Sequence, residues 1–136
     1  MLNFVHHVHY VVWNRDEMVA YLQKSFGMKP TDLIDDEDRG MKEALYQVGQ
    51  TQIQVIEPTK PGTVHAQFLE KNGPCVHHVA WGVDNIHQKA QELPEKGITL
   101  RDEGGASHTP HGYDAFFIDP KLSQGILFQL AETPDK

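Results

Sequence analysis

The chain has 136 residues, the usual length of one domain, and its 39% hydrophobic and 23% charged residues are typical of a globular protein. Nineteen acidic against twelve basic residues give a net charge of −7, which argues against nucleic acid as a partner because phosphates need clustered cations. The single cysteine excludes an intrachain disulfide, and neither a membrane-spanning apolar run nor a signal peptide is visible, so we expect a cytoplasmic protein with no membrane partner.

The first part of the chain reads as a strand, a helix and further strands. An alternating β-branched and aromatic run begins at Val5-His6-His7-Val8 and predicts a strand. Asn14 is predicted to cap a helix over residues 16–26. Strands are then predicted over residues 43–48 and 51–57. These elements make up a first module, residues 4–58.

The second part repeats the first. A predicted short helix over 64–71 lies in the connector, residues 59–74, and Val76-His77-His78-Val79 then repeats the opening motif 71 positions later. Asp84 or Asn85 is predicted to cap the next helix, which Pro94 must kink or break. Strands over 114–118 and 126–132 complete a second module, residues 75–132.

This order predicts one α+β domain, residues 1–136, built from two βαβββ modules that form a cupped mixed β-sheet with flanking helices. Because side chains alternate along a strand, His7 and His9 share one face while Tyr10 lies on the other. His78 has the corresponding position in the second module. Gln54 and Gln129 lie mid-strand between apolar neighbours. If the modules pack pseudo-symmetrically, His7, His78 and the two glutamines converge from four strands.

Six motifs together carry a resemblance to a known superfamily. The sequence resembles the vicinal oxygen chelate superfamily, with its glyoxalase/bleomycin-resistance-like fold, and within it methylmalonyl-CoA epimerases and, more distantly, glyoxalase I enzymes. The motifs are Val5-His6-His7-Val8, Gln52-Ile53-Gln54-Val55-Ile56-Glu57-Pro58, His77-His78-Val79-Ala80-Trp81, Pro110-His111-Gly112, Phe116-Phe117-Ile118-Asp119-Pro120-Lys121 and Gly125-Ile126-Leu127-Phe128-Gln129-Leu130.

The resemblance implies a metal-dependent enzyme that moves a proton alpha to a thioester carbonyl, acting on an acyl-CoA or a related small molecule. It implies a divalent metal ion, with Co, Zn, Ni, Mn and Mg not distinguished. The implied ligands are His7, Gln54, His78 and Gln129. Family members are frequently dimers, so a homodimer is expected.

The resemblance also implies roles for residues around the metal. It places a catalytic base at Glu43. His9, on the same strand face as His7, and His111 with Gly112 in a loop are expected to contact the substrate. The two histidines are also candidates for a second acid, because histidine titrates near neutral pH.

Gln129 departs from the superfamily pattern, which normally has a metal-binding Glu at this position. A Gln oxygen can still coordinate a cation, but it adds no negative charge and cannot act as a base. Glu132 has the wrong strand parity to replace it. Three functions stay open: an epimerase-like isomerase, a glyoxalase-like lyase, and a non-catalytic protein of the same fold that binds a small molecule.

Overall fold

The computed structural model describes residues 1–133. None of its helices is long and apolar enough to cross a lipid bilayer, as judged on those residues. The elements follow one another as β1 (Phe4–Val11), α1 (Arg15–Phe26), β2 (Asp32–Asp36), β3 (Met41–Val48), β4 (Thr51–Pro58), α2 (Val64–Asn72), β5 (Cys75–Gly82), α3 (Ile86–Glu95), β6 (Ser107–His108), β7 (Asp114–Ile118) and β8 (Phe128–Glu132), with a short 3-10 helix (Pro120–Ser123) before β8.

The element order confirms the predicted α+β class and the two βαβββ modules, joined by α2. The chain also divides into two compact units. The first unit is His7–His77, and the second contains Met1–His6 together with the residues from His78 onward. The predicted limits of a single domain and of the connector stay predictions.

In the first unit the strand order is β2-β3-β4-β1, with β1 parallel to β4 and the other pairs antiparallel. Tyr10 and Val12 lie on the sheet face covered by α1, as the alternation predicts. On the opposite face Val11 and Ile56 pack against Leu69 of α2. Helix α2 therefore covers part of the face that carries His7 and His9.

In the second unit the strand order is β5-β8-β7-β6, with β5 parallel to β8. One face of this sheet packs against α3 through a buried cluster of Val83, Ile86, Phe116 and Leu130. The other face has mostly small side chains, and Ala80, Ala115 and Ala131 form a cluster there with Tyr113. The same face carries the rings of Tyr113 and Phe117 beside these alanines.

The N-termini of α1 and α3 are each bound by a carboxylate from the last strand of the same module. Glu57 accepts a hydrogen bond from the Arg15 backbone N–H at 2.8 Å. Glu132 accepts from the backbone N–H groups of Asn85 at 2.8 Å and Ile86 at 3.1 Å. An anion at a helix N-terminus interacts favourably with the helix dipole and the unpaired N–H groups. The two contacts extend the internal repeat to the helix caps.

The helix ends agree with the sequence in α1 and differ in α3. The Asn14 side chain caps α1 by accepting from the Glu17 backbone N–H at 2.9 Å. Asn85 occupies the N-cap position of α3, but its side chain makes no capping hydrogen bond. The predicted N-cap position is therefore confirmed at Asn85, but Glu132 rather than the Asn85 side chain supplies the acceptor. Pro94 lies in the last turn, and α3 ends one residue later.

The N-terminal segment packs within the second unit. The Asn3 backbone N–H donates to the Gly82 carbonyl at 2.8 Å, and the Phe4 ring occupies the space that a side chain at position 82 would fill. The His6 ring nitrogen Nε2 lies 2.8 Å from Thr133 Oγ1. Glycine at position 82 therefore permits close packing of β5 against the Phe4 ring.

Candidate functional site

His7 and Gln54 lie on the same face of the first unit's sheet. In the parallel pairing of β1 with β4, His7 is opposite Gln52 and His9 is opposite Gln54. Residues directly opposite one another point to the same side of a sheet, so His7 and Gln54 are diagonal neighbours. His7 is 0% exposed and Gln54 is 1% exposed. The first predicted pair of ligands is therefore buried and shares one face.

The Gln54 amide takes part in a chain of hydrogen bonds. Its Nε2 donates to Gln52 Oε1 at 2.8 Å, which places its Oε1 toward His9, 2.9 Å from Nδ1. A carbonyl oxygen accepts only, so His9 must donate from Nδ1 and its Nε2 is the ring nitrogen that carries the lone pair. His9, predicted to contact substrate, is thus positioned by a predicted metal ligand.

His78 and Gln129 form the equivalent pair in the second unit. Ala80 is opposite Gln129 in the parallel pairing of β5 with β8, so His78, two residues before Ala80, shares the Gln129 face. The His78 ring meets the Phe117 ring edge to face, with centroids 5.0 Å apart. His78 and Gln129 are both buried.

Gln129 Oε1 has no hydrogen-bond partner among residues 1–133, although it is buried. Leaving a buried acceptor without a partner costs about 1–3 kcal/mol. Such atoms in native proteins usually reflect a bound water, an ion or a functional role. Two buried imidazoles and two amide oxygens are a donor set that fits a borderline divalent cation. The side chains present are therefore compatible with the implied metal.

Glu43 lies on the face of the first unit that carries Gln54. It pairs with Ile56 across β3 and β4, and Ile56 is two residues beyond Gln54 on the same strand. Glu43 is 2% exposed, and Arg39 Nη2 lies 3.7 Å from its Oε2. The Arg39 side chain is more than a third exposed, so this ion pair is open to solvent on one side. Arg39 has no sequence signal of its own and was not predicted.

His111 and Gly112 lie in the loop before β7, in the second unit. Gly112 has a φ of 89°, a conformation that favours glycine, and its backbone N–H donates to the Thr109 carbonyl at 3.1 Å. The His111 ring stacks near Tyr113, with centroids 6.1 Å apart. His111 is half-buried and Gly112 exposed. Their role in substrate binding stays a prediction.

Comparison with known proteins gives the family. Residues 6–117 match the Glyoxalase/Bleomycin resistance protein/Dioxygenase superfamily. The chain belongs to this superfamily. It is 26% identical to an ethylmalonyl-CoA/methylmalonyl-CoA epimerase of Cereibacter sphaeroides, over 97% of this chain and 99% of the relative. It is 25% identical to the mitochondrial methylmalonyl-CoA epimerase of Homo sapiens, over 96% of this chain and 74% of the relative.

A solved structure agrees over nearly the whole chain. The crystal structure of methylmalonyl-CoA epimerase from Mycobacterium tuberculosis matches with a TM-score of 0.87 and 28% identity, covering 98% of this chain and 90% of that one. The resemblance drawn from the six motifs is confirmed, and the predicted fold agrees with this neighbour. The relatives are epimerases, which are isomerases, as the enzyme prediction favoured.

Glu132 does not replace the carboxylate that is missing at position 129. Its side chain lies on the α3 face, where both carboxylate oxygens bind backbone N–H groups at the helix start. The Glu132 side chain therefore lies on the opposite sheet face from Gln129, as strand parity predicts.

His6, next to His7 in sequence, packs within the second unit. Its ring meets the Tyr113 ring at 4.7 Å and contacts Thr133. Burial lowers the pKa of His6 below the ordinary value of 6.5, which favours the neutral ring. His6 therefore packs against residues of the second unit.

A cluster of three histidines was missed by the sequence reasoning. His9, His65 of α2 and His77 of β5 each bring a ring nitrogen within 4.8 Å of the other two. The nine histidines of the chain were the available signal. Their count does not show which rings meet, because the contact depends on how α2 packs across β1.

A groove within the second unit is lined by none of the residues predicted for the site. It has a volume of about 510 Å³ and is lined by α3 and the following loop, including Ala90, Pro94, Leu100 and Gly105. No predicted ligand or base lines it. The predicted ligands and base lie instead on the histidine-bearing face of each unit's sheet.

Proposed function

We propose that the protein is an epimerase-like isomerase that transfers a proton at the carbon alpha to a thioester carbonyl of an acyl-CoA. The observation that carries the proposal is the similarity to the Cereibacter sphaeroides ethylmalonyl-CoA/methylmalonyl-CoA epimerase along 97% of this chain. The substrate class is that of this relative, an epimerase of ethylmalonyl-CoA and methylmalonyl-CoA. A homodimer in the cytoplasm remains our expectation.

We propose His7, Gln54, His78 and Gln129 as the residues that hold a divalent cation. Their burial and the unsatisfied oxygen of Gln129 support this choice. A bound cation would supply Lewis-acid stabilisation of the negative charge that develops on the thioester oxygen. All four donors are neutral, so none of them offsets the charge of the ion.

Glu43 is the proposed base. Its carboxylate is buried on the face that carries Gln54, and Arg39 Nη2 lies 3.7 Å from its Oε2. The backbone carbonyl of Glu43 accepts from Arg15 Nη1 at 3.1 Å, and Arg15 also binds the Asp35 carboxylate at 2.7 Å. These contacts fix the strand that presents the base. A base on a strand that is held in place loses less entropy when it aligns with the substrate proton that it removes.

Because residue 129 is Gln, the proposed site lacks a carboxylate for the second proton transfer of an inversion. Inversion requires removal of a proton from one face of the alpha carbon and delivery to the other. The family resemblance implies a carboxylate at position 129 for the second face, and the amide present there does not titrate. His9 is a weak candidate for that acid, since its Nδ1 proton is already donated to Gln54. The proposed enzyme therefore has one carboxylate base.

Hydrogen–deuterium exchange tests the proposal directly. Methylmalonyl-CoA is incubated in D2O with metal-loaded protein, and deuterium at the alpha carbon is followed by NMR and mass spectrometry. We expect exchange by the wild type and a loss of about 100-fold or more in Glu43→Gln, the usual magnitude for removing a general base. The exposed Glu37→Gln is the matched control and should retain the wild-type rate. Absence of exchange with any acyl-CoA, despite bound metal, would reject the proposal.

Gln129 favours a second candidate, a non-catalytic protein of the same fold that binds a small molecule. A binding site needs no proton donor at position 129. This reading predicts that metal-free protein binds an acyl-CoA with full affinity while no exchange occurs. Calorimetric titration of the metal-free protein with methylmalonyl-CoA, beside the exchange measurement, separates the two functions.

A further inference from the structure

His9, His65 and His77 form a compact cluster that the proposed reaction does not use. All three belong to the first unit, and their ring centroids lie 5.0 Å (His9 to His65), 5.4 Å (His9 to His77) and 5.0 Å (His65 to His77) apart. His9 is buried, and the other two are half-buried. We call these three residues the histidine triad.

The surrounding contacts favour ligation by His9. Gln52, through the Gln54 amide, fixes the His9 proton on Nδ1, so Nε2 carries the lone pair. An imidazole held through its other nitrogen by a carbonyl oxygen is the usual arrangement of a metal-binding histidine, since the hydrogen bond sets both tautomer and ring orientation. The Phe68 ring packs on the His77 ring, with centroids 4.5 Å apart. This contact restricts the rotation of a second ring of the triad.

We propose that the histidine triad is a second metal site, one that takes a borderline divalent transition-metal ion such as Zn²⁺, Co²⁺ or Ni²⁺. Three neutral imidazoles are poor ligands for Mg²⁺ and Ca²⁺, which prefer oxygen, and good ligands for the later transition metals. The site has three protein ligands, so one tetrahedral position is left for water or another small ligand.

The distances fit binding with small movements of the rings. Metal–nitrogen bonds of about 2.0–2.1 Å in a tetrahedral site require ring nitrogens roughly 3.4 Å apart. The three nitrogens lie within 4.8 Å of one another, so the rings must close by about 1.4 Å at most. His65 is the second residue of α2 and is half-buried, which leaves it room to rotate.

The proposed ion would link three elements of the first unit: β1, the start of α2, and the start of β5. Helix α2 lies in the connector between the modules and is short, so an ion at its first turn would add a strong constraint. Gln54 contacts His9 and is also a proposed ligand of the first ion. The triad itself does not depend on that first site being occupied.

Metal stoichiometry tests the proposal. Untagged protein is stripped with a chelator and titrated with Zn²⁺, and then with Co²⁺, against a chromophoric competitor. We expect the wild type to bind one equivalent more than His65→Gln. The expected totals are two and one if both sites exist. Totals of one and zero would support the triad while rejecting the first site. Equal stoichiometry in wild type and variant would overturn the triad.

A matched control separates the triad from other histidines. His87→Gln removes an exposed ring that lies 3.1 Å from the Asp114 carboxylate, outside the triad, and should leave the stoichiometry unchanged. If His87→Gln alone loses an equivalent, the ion binds at that surface pair and the triad proposal is wrong. Mg²⁺ should not compete for the equivalent that depends on His65.

A second variant and a spectroscopic readout remove the dependence on one substitution. His77→Gln should lose the same single equivalent, and circular dichroism of each metal-free variant checks that it folds. In wild type, the imidazole ¹⁵N resonances of all three triad residues should shift together on addition of one equivalent of Zn²⁺. Unshifted triad resonances at saturation would overturn the proposal.

Discussion

The substitution Gln129→Glu gives opposite effects with and without metal if the proposed first site is correct. It places an ionisable group at a buried position where Oε1 of the native amide has no hydrogen-bond partner within residues 1–133. Without a cation, we expect it to lower the free energy of unfolding by about 1–3 kcal/mol, the usual cost of an unsatisfied buried polar group. In a domain of this size that corresponds to a Tm roughly 3–10 °C lower.

With a cation bound, the added carboxylate becomes a negatively charged ligand in an otherwise neutral set. We expect metal affinity to rise at least about tenfold, or roughly 1.4 kcal/mol. The rise in Tm on metal saturation should therefore be larger in Gln129→Glu than in wild type, because at a given metal concentration the stabilisation of the folded state grows with the logarithm of the affinity. The assay is thermal unfolding by circular dichroism, once with chelator and once with saturating Co²⁺.

The control is Gln91→Glu, which adds the same charge on an exposed part of α3. It should change stability by no more than about 0.5 kcal/mol in either condition. An equal loss of stability in Gln129→Glu with and without Co²⁺ would refute the reasoning, since position 129 would then have no access to the ion.

Three further predictions concern the second unit. Replacing Glu132 with Ala should cost about 1–2 kcal/mol in urea unfolding, because the N–H groups at the start of α3, including that of Ile86, lose their acceptor; an unchanged midpoint would contradict this. Gly82→Ala should cost about 1–3 kcal/mol, because the new Cβ would overlap the Phe4 ring, and Phe4→Leu should restore part of the loss in a double-mutant cycle. Asp114 has a pKa below its ordinary value, since two histidine rings bind its carboxylate, so its contribution to stability should be present above about pH 3.8 and disappear as the pH falls through the lowered pKa; Asp114→Asn should flatten acid unfolding there, and a profile identical to that of the wild type would contradict the assignment.

The regular strands and helices could be predicted because their patterns are local. The alternation in β1 and β5 and the Asn14 cap of α1 depend on neighbours along the chain, and each was found in the structure. No strand range was predicted for Asp32–Asp36, a segment rich in acidic residues, which are unfavourable in strands. Strand β2 forms there by pairing with β3. Its existence depends on a tertiary contact.

The site was predictable only in part for the same reason. Strand parity placed His7 and His9 on one face, and the strand register adds Gln54 to that face and puts Gln129 on the face of His78. The contact of Arg39 with Glu43 and the meeting of His65 with His9 depend on a turn and on helix packing that no local pattern encodes. The Glu132 cap of α3 likewise joins residues 46 positions apart.

The central claim is that Glu43 is the one carboxylate base. It is tested by the rate of alpha-carbon deuteration relative to the rate of stereochemical inversion. Each epimer of methylmalonyl-CoA is incubated separately in D2O with metal-loaded wild type, and alpha-carbon deuteration and stereochemistry are measured on the same samples. We predict that deuteration of one epimer exceeds inversion by about 100-fold or more, because only one face of the alpha carbon meets a base. Equal rates of deuteration and inversion, or deuteration that persists in Glu43→Gln, would contradict the account.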